Sequence, residues 1–143
     1  MVYFDTSFIA PLVIAEATSD AVEAVILKVR PDELTTSLWA QVELASLVSR
    51  KVRMGELSVS DRDAVRRECE RMFGESFEML LPTSADFAAA TKFLEVPKTT
   101  LRAGDALHLA IAANHGARKI LTLDAGFLEA GRRLNLPVSR SIR

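Results

Sequence analysis

Four carboxylates stand out by type and position. Asp5 follows the short β-prone run Val2-Tyr3-Phe4, and Asp124 follows the apolar run from Lys119 to Leu123, so each sits where a strand should end. Glu43 lies four residues after Trp39 and four before Leu47, on a helical stripe whose other members should face inward. A carboxylate aimed at buried space is costly unless it is paired or binds metal. Asp105 is the only acid in an otherwise apolar stretch from Arg102 to His115. Each acid also has an ordinary structural reading. Asp5 and Asp124 could cap the helices that follow them. Glu43 could reach Arg50 or Lys51 at the stripe's edge, and Asp105 could answer a helix dipole or pair with Arg102.

Gathered in one cleft, four acids would repel one another and their pKa values would rise. A hard divalent cation reverses that balance, because its charge dominates the local field. Mg²⁺ and Mn²⁺ take oxygen ligands and keep several waters. A carboxylate-held metal can activate water, polarise a phosphoryl oxygen and stabilise developing charge. An all-oxygen cluster of Asp5, Glu43, Asp105 and Asp124 with no Cys or Ser triad therefore points to metal-assisted phosphodiester hydrolysis. His108, one turn after Asp105, reads as a packed, hydrogen-bonded residue outside the site. His115, beside Gly116, reads as a C-terminal cap or dipole partner.

The elements that must position these acids alternate. A strand over Val2–Phe4 precedes a helix from Pro11 to Val29, with Pro31 as its stop. Glu33 to Ser37 reads as a second strand. Leu38 to Met54 reads as a strong helix ended by Gly55. Ser60, with Asp63 three residues on, should cap a helix to Phe73 whose Arg62, Arg66 and Arg67 interleave with Glu68 and Glu70 as a solvated or partner-facing surface. A third strand spans Phe77 to Pro82, and Ser84 caps a helix to about Glu95. Pro97 to Thr100 connects to a mostly buried helix over Arg102–His115. Lys119 to Asp124, Ala125 to Leu134 and Val138 complete the series as strand, helix and short strand. This alternation predicts one α/β domain over residues 1–143, with a mostly parallel sheet and helices on both faces. Sites in such sheets form beyond the carboxyl ends of the strands, where strand order reverses.

Composition narrows the classes. The 143 residues are 49% hydrophobic and 26% charged, as in ordinary globular domains. A net charge of −1 argues against wrapping nucleic acid by bulk positive charge. It leaves room for local contacts from Arg50, Lys51, Arg53, Lys92, Lys98 and Arg102. Cys69 is the one cysteine, so neither an intramolecular disulfide nor a Cys-based zinc site is expected. The start, Met1-Val-Tyr-Phe-Asp5, has no basic n-region or long apolar h-region. No apolar run approaches the roughly 18 residues of a membrane span. The expectation is a cytoplasmic protein with no membrane partner.

The segments Val-Tyr-Phe-Asp5-Thr-Ser, Ser-Leu-Trp-Ala-Gln-Val-Glu43-Leu, Arg102-Ala-Gly-Asp105-Ala-Leu-His-Leu-Ala and Leu-Thr-Leu-Asp124-Ala-Gly-Phe resemble the PIN domain. More narrowly, they resemble the VapC-type toxins of type II toxin–antitoxin pairs. The resemblance covers the whole chain, in order. It implies a Rossmann-like five-stranded sheet of order 3-2-1-4-5 and a Mg²⁺- or Mn²⁺-dependent endoribonuclease. It assigns Asp5, Glu43, Asp105 and Asp124 as the catalytic and metal-binding acids, with Ser7 and Thr122 as supporting hydroxyls. It further implies an RNA substrate, a homodimer, and an antitoxin whose Arg reaches the acidic cluster and competes with metal.

Two other readings share the α/β pattern. A receiver-like phospho-accepting domain would show paired acids after the first strand and an aspartate after the third, whereas here Asp5 is single and the third strand ends in Leu81-Pro82-Thr83. A non-catalytic binding module would use the acids structurally and behave identically in EDTA.

Overall fold

The computed structural model describes residues 1–142. Five strands form one all-parallel sheet: β1 Val2–Phe4, β2 Leu34–Ser37, β3 Glu78–Leu80, β4 Lys119–Leu121 and β5 Val138–Ser139. Their order is β3-β2-β1-β4-β5. The order follows from two runs of crossover connections. From β1 the chain steps outward to β2 and β3, then returns to the other side of β1 with β4 and β5. Tyr3 pairs in register with Thr35 on one side and Ile120 on the other. The reversal therefore lies between β1 and β4, and the crevice at their carboxyl ends is where Asp5 emerges.

Seven helices cover the sheet: α1 Thr6–Ile9, α2 Ser19–Ile26, α3 Leu38–Arg53, α4 Val59–Glu75, α5 Ser84–Leu94, α6 Ala103–Asn114 and α7 Ala125–Arg133. Successive strand side chains point to opposite faces, so β1 feeds two separate cores. Val2 and Phe4 pack with Phe8, Leu44, Phe73, Phe77 and Leu121 on the α1–α4 face. Tyr3 packs with Leu109, Ile111, Ile120 and Phe127 on the α5–α7 face. α6 is buried at every position from Ala106 to Ala112. That matches its sequence, whose only charged or imidazole groups are Asp105 and His108.

Several boundaries differ from the sequence expectation. The helix expected over Pro11–Val29 is broken. Asp5 caps the short α1, Pro11 opens a 3₁₀ turn over Ala10–Leu12, and α2 begins only at Ser19. The Ser19 hydroxyl donates to the Pro11 carbonyl at 2.7 Å, which folds the intervening loop back. The α4 cap is Ser58, not Ser60: Asp61 N donates to Ser58 Oγ at 3.0 Å and Ser58 N to Asp61 at 3.1 Å. Ser58-Val-Ser-Asp61 and Ser60-Asp-Arg-Asp63 offer the same capping spacing, and the fold uses the earlier one. Gly74 does not stop α4, which runs on to Glu75. Thr83, not Ser84, caps α5, because Asp86 stands three residues after it and closes the reciprocal box. β3 is shorter than expected, and Phe77 leaves it to meet Phe4 edge-on at 5.7 Å.

Candidate active site

Asp5 is the first residue past β1 and is only 3% exposed. It is a helix cap, since Phe8 N donates to Oδ1 at 3.0 Å. It also does more than a cap requires. Ser7 Oγ donates to Oδ1 at 2.8 Å, and Thr122 Oγ1 donates to Oδ2 at 2.7 Å. Burial pushes its pKa from 3.8 up to about 6, against the opposing pull of His108 and of the bonds from Thr122, Ser7 and Phe8 N. The two hydroxyls also reach the segment after β4. Ser7 Oγ accepts from Leu123 N at 2.9 Å, and Thr122 Oγ1 accepts from Asp124 N at 3.1 Å. Asp5 and Asp124 are thus held one hydroxyl apart.

Asp124 caps α7, with Phe127 N donating to Oδ1 at 2.7 Å. Its side chain stays about a third exposed, and Oδ2 lies 3.7 Å from the exposed Arg102 guanidinium. A Cβ at Gly126 would stand 3.2 Å from Asp124 Oδ1 and 3.4 Å from Thr100 Oγ1, so the glycine leaves the carboxylate room.

Glu43 comes in from α3. It does not pair with Arg50 or Lys51, and Lys51 bonds Glu56 instead. Glu43 Oε1 accepts from Thr6 Oγ1 at 2.8 Å and meets His108 Nε2 at 2.5 Å. Its other oxygen lies over Gly104, where a Cβ would be 2.7 Å from Oε2. Burial raises the Glu43 pKa, but the His108 bond, the imidazole's field and the Thr6 bond outweigh it, so the net displacement is downward and the group is ionised.

Asp105 is the residue after Gly104, in the first turn of α6. Burial raises its pKa first, and the charges of Asp124 and Glu43 raise it further, against Arg102 and His108. No hydroxyl or amide donor supports this carboxylate among the described residues. Contacts link the four acids in a chain: Thr122 joins the Asp5 carboxylate to the Asp124 backbone, Thr6 beside Asp5 bonds Glu43, Glu43 Oε2 lies over Gly104, and Asp105 feels the charges of Asp124 and Glu43.

Among the described residues, no three or more His, Cys, Asp or Glu side chains are arranged as a ready metal shell. The donors nonetheless suit a hard cation. All four are carboxylates, and Asp105 is half-buried and flanked by the charges of Asp124 and Glu43, a condition a divalent ion relieves. Trp39 adds a buried indole N–H with no partner, close to Gly104. Among the described Arg and Lys residues, Arg102 alone lies within 4 Å of an acid of the cluster, 3.7 Å from Asp124 Oδ2.

Sequence reasoning missed Tyr3, Thr6, Ser37, Gly104 and His108. His108 is 1% exposed and bonds Glu43, Thr6 and Tyr3. Its spacing three residues after Asp105 placed it on the same face of α6, which was the available signal. Elsewhere, a groove of about 390 Å³ runs between α3 and α4, lined by Leu44, Val48, Cys69 and Phe73 and rimmed by Arg62 and Arg66. None of the four acids lines it.

Solved structures with this fold are similar over nearly the whole chain. The VapC20 toxin of Mycobacterium tuberculosis, described as Sarcin-Ricin loop cleaving, is 19% identical with a TM-score of 0.75, covering 92% of this chain and 95% of its own. FitAcB from Neisseria gonorrhoeae is 18% identical with a TM-score of 0.76, covering 99% and 98%. VapBC-1 from nontypeable Haemophilus influenzae is 16% identical with a TM-score of 0.72, again covering 99% and 98%. No curated protein matches the sequence significantly. The family model for the PIN domain matches residues 2–133, and with its sheet order and strand-end acids the chain belongs to the PIN domain family.

Proposed function

We propose that this protein is a metal-dependent endoribonuclease, the toxin of a toxin–antitoxin pair, built as one PIN domain over its length. The observation that carries the reading is the chain of contacts beyond the carboxyl ends of β1 and β4: Thr122 joins Asp5 to the Asp124 backbone, and Thr6, next to Asp5, bonds Glu43, which lies over Gly104 beside Asp105. These four would hold Mg²⁺ or Mn²⁺, which supplies an activated water and charge stabilisation at phosphorus. Ser7 and Thr122 keep Asp5 fixed and oriented by donating to both of its oxygens. Glu43, ionised and anchored on one oxygen, keeps Oε2 as an acceptor toward water or metal. Arg102, exposed beside Asp124, is the cation best placed to meet an RNA phosphate.

The similar structures support the partner assignment by fold: VapBC-1 and FitAcB carry pair names, and VapC20 is described as a toxin. An antitoxin would insert an Arg among the acids, and the apolar α3–α4 groove would take its helix. Exposed Leu38 and Val42 on α3, and exposed Leu81 just past β3, offer apolar surface for a homodimer. No described helix is long and apolar enough to cross a membrane, and we place the protein in the cytoplasm.

A receiver-like role is disfavoured. Receiver-type sheets run 2-1-3-4-5, whereas this one runs 3-2-1-4-5, and Leu81 and Pro82 follow β3. The test is cleavage of a mixed pool of tRNA and structured RNA with Mn²⁺, with EDTA and with Asp5→Asn. Cutting that requires both metal and Asp5 is expected. Identical behaviour of all three samples would return the chain to a non-catalytic binding role.

A further inference from the structure

We infer that His108 is a positioning residue that fixes Glu43 in the acidic cleft, and that its own ring is held by a buried relay from Ser37 through Tyr3. The inference rests on the metal-dependent reading above. It starts from an imidazole with both nitrogens engaged and almost no solvent contact. Nε2 meets Glu43 Oε1 at 2.5 Å and lies 3.1 Å from Thr6 Oγ1. Nδ1 meets Tyr3 Oη at 2.7 Å, and Tyr3 Oη meets Ser37 Oγ at 2.8 Å.

Chemistry sets the direction at the Glu43 end. An ionised carboxylate only accepts, so Nε2 carries a proton and donates. Thr6 Oγ1 donates to the same oxygen. Two donors on Oε1 leave Oε2 as the free acceptor, and Gly104 is the position that lets it face the first turn of α6. At the other end, with Nε2 carrying the proton, Nδ1 accepts from the buried Tyr3 hydroxyl, a neutral donor that adds no charge.

Packing fixes the ring as well as bonding does. His108 meets the Tyr3 ring edge-on at 5.8 Å and the Phe127 ring at 6.4 Å. The relay thus ties β1, the end of β2, α3 and α6 to one carboxylate. A side chain as long as Glu has three torsions to restrain, and an α-helical position alone restrains the first of them. Outer contacts that orient a metal-ligating group change metal affinity or activity by roughly 10–100-fold when removed.

The experiment uses metal-free and Mn²⁺-loaded full-length protein. In the metal-free protein, a downfield imidazole proton in the NMR spectrum is expected, lost in His108→Leu and in Glu43→Gln. Mn²⁺ titration by calorimetry should show His108→Leu weakened roughly tenfold or more. His108→Gln, which places an amide N–H where Nε2 stood, should recover most of that affinity. Tyr3→Phe keeps the ring and should weaken binding by a smaller factor while moving the imidazole resonance. It also carries the test if His108→Leu does not fold.

Wild-type Mn²⁺ affinity in folded His108→Leu would overturn the inference. So would a His108→Gln no better than His108→Leu, or a Tyr3→Phe that leaves both resonance and affinity unchanged. Failure of the functional reading looks different: there the wild-type protein itself neither binds Mn²⁺ nor cuts RNA.

Discussion

Asp5→Asn should stabilise the metal-free protein near neutral pH while weakening metal binding. The group is buried, and burial raises its pKa from 3.8 to about 6. That displacement is worth about 3 kcal/mol against the ionised form, at about 1.4 kcal/mol for each tenfold change. The folded state holds the Asp5 proton more tightly than the unfolded chain does. Stability from this group is therefore whole below pH 3.8 and is lost as pH rises through about 6. Asparagine removes the charge and keeps an oxygen for Phe8 N, so the cap survives. It cannot accept from both Ser7 and Thr122 as the carboxylate does, and losing one such bond costs about 1–2 kcal/mol. The net expectation at pH 8 in EDTA is a gain of about 1–2 kcal/mol, or roughly 3–6 °C in Tm. At pH 4.5 the gain should vanish, because wild-type Asp5 is then protonated. Thermal denaturation of both proteins across pH 4.5–8, with EDTA and with Mn²⁺, reads all of this. A variant less stable than wild type at pH 8 in EDTA would refute the reasoning, since the carboxylate would then be a net structural asset.

The other expectations follow from single contacts. Thr122→Val removes a fully buried donor to Asp5 and an acceptor for Asp124 N, so it should cost about 1.5–3 kcal/mol at pH 8 by urea denaturation and less at pH 4.5. Gly104→Ala places a methyl 2.7 Å from Glu43 Oε2. It should displace that carboxylate and lower Mn²⁺ affinity about tenfold by calorimetry, with Tm little changed because alanine favours the helix. Ser58→Ala should cost about 1 kcal/mol, or roughly 2–4 °C in Tm, while Ser60→Ala should cost little; equal losses would place the α4 cap wrongly.

What was legible in the sequence depended on the range of the contact. The alternation of β-prone runs with helical stripes carried the α/β class, and the single acids just past Val2–Phe4 and Lys119–Leu121 carried half of the candidate site. Both are local signals. The cap positions were local too, but Ser58 and Ser60, like Thr83 and Ser84, offer near-equal chemistry, and packing decided between them. The break before α2 was hidden because Pro11 suits the first turn of an α-helix and of a 3₁₀ turn equally. His108 was legible only in part. Its spacing marked a packed, hydrogen-bonded residue on the Asp105 face of α6, but its partners Tyr3 and Glu43 are 105 and 65 residues away in sequence, so nothing near it named them.

The four acids also show why neither the structural nor the catalytic reading of each one had to exclude the other. Asp5 and Asp124 are real helix caps, and in each the cap uses one oxygen while the other meets a different group, Thr122 for Asp5 and Arg102 for Asp124. Glu43 is bonded in place by an imidazole and a hydroxyl on one oxygen, which leaves the other oriented. Only Asp105 has no such support, and its neighbours Asp124 and Glu43 make its charge harder to bear. Asp105 is half-buried, and a carboxylate between two like charges is destabilising until positive charge offsets it. Arg102 and His108 offset part of that repulsion, and in the proposed function a divalent cation would offset the rest. For that reason Asp105→Asn should stabilise the metal-free fold while abolishing Mn²⁺ binding, and wild-type Mn²⁺ affinity in that variant would show that the cation sits elsewhere.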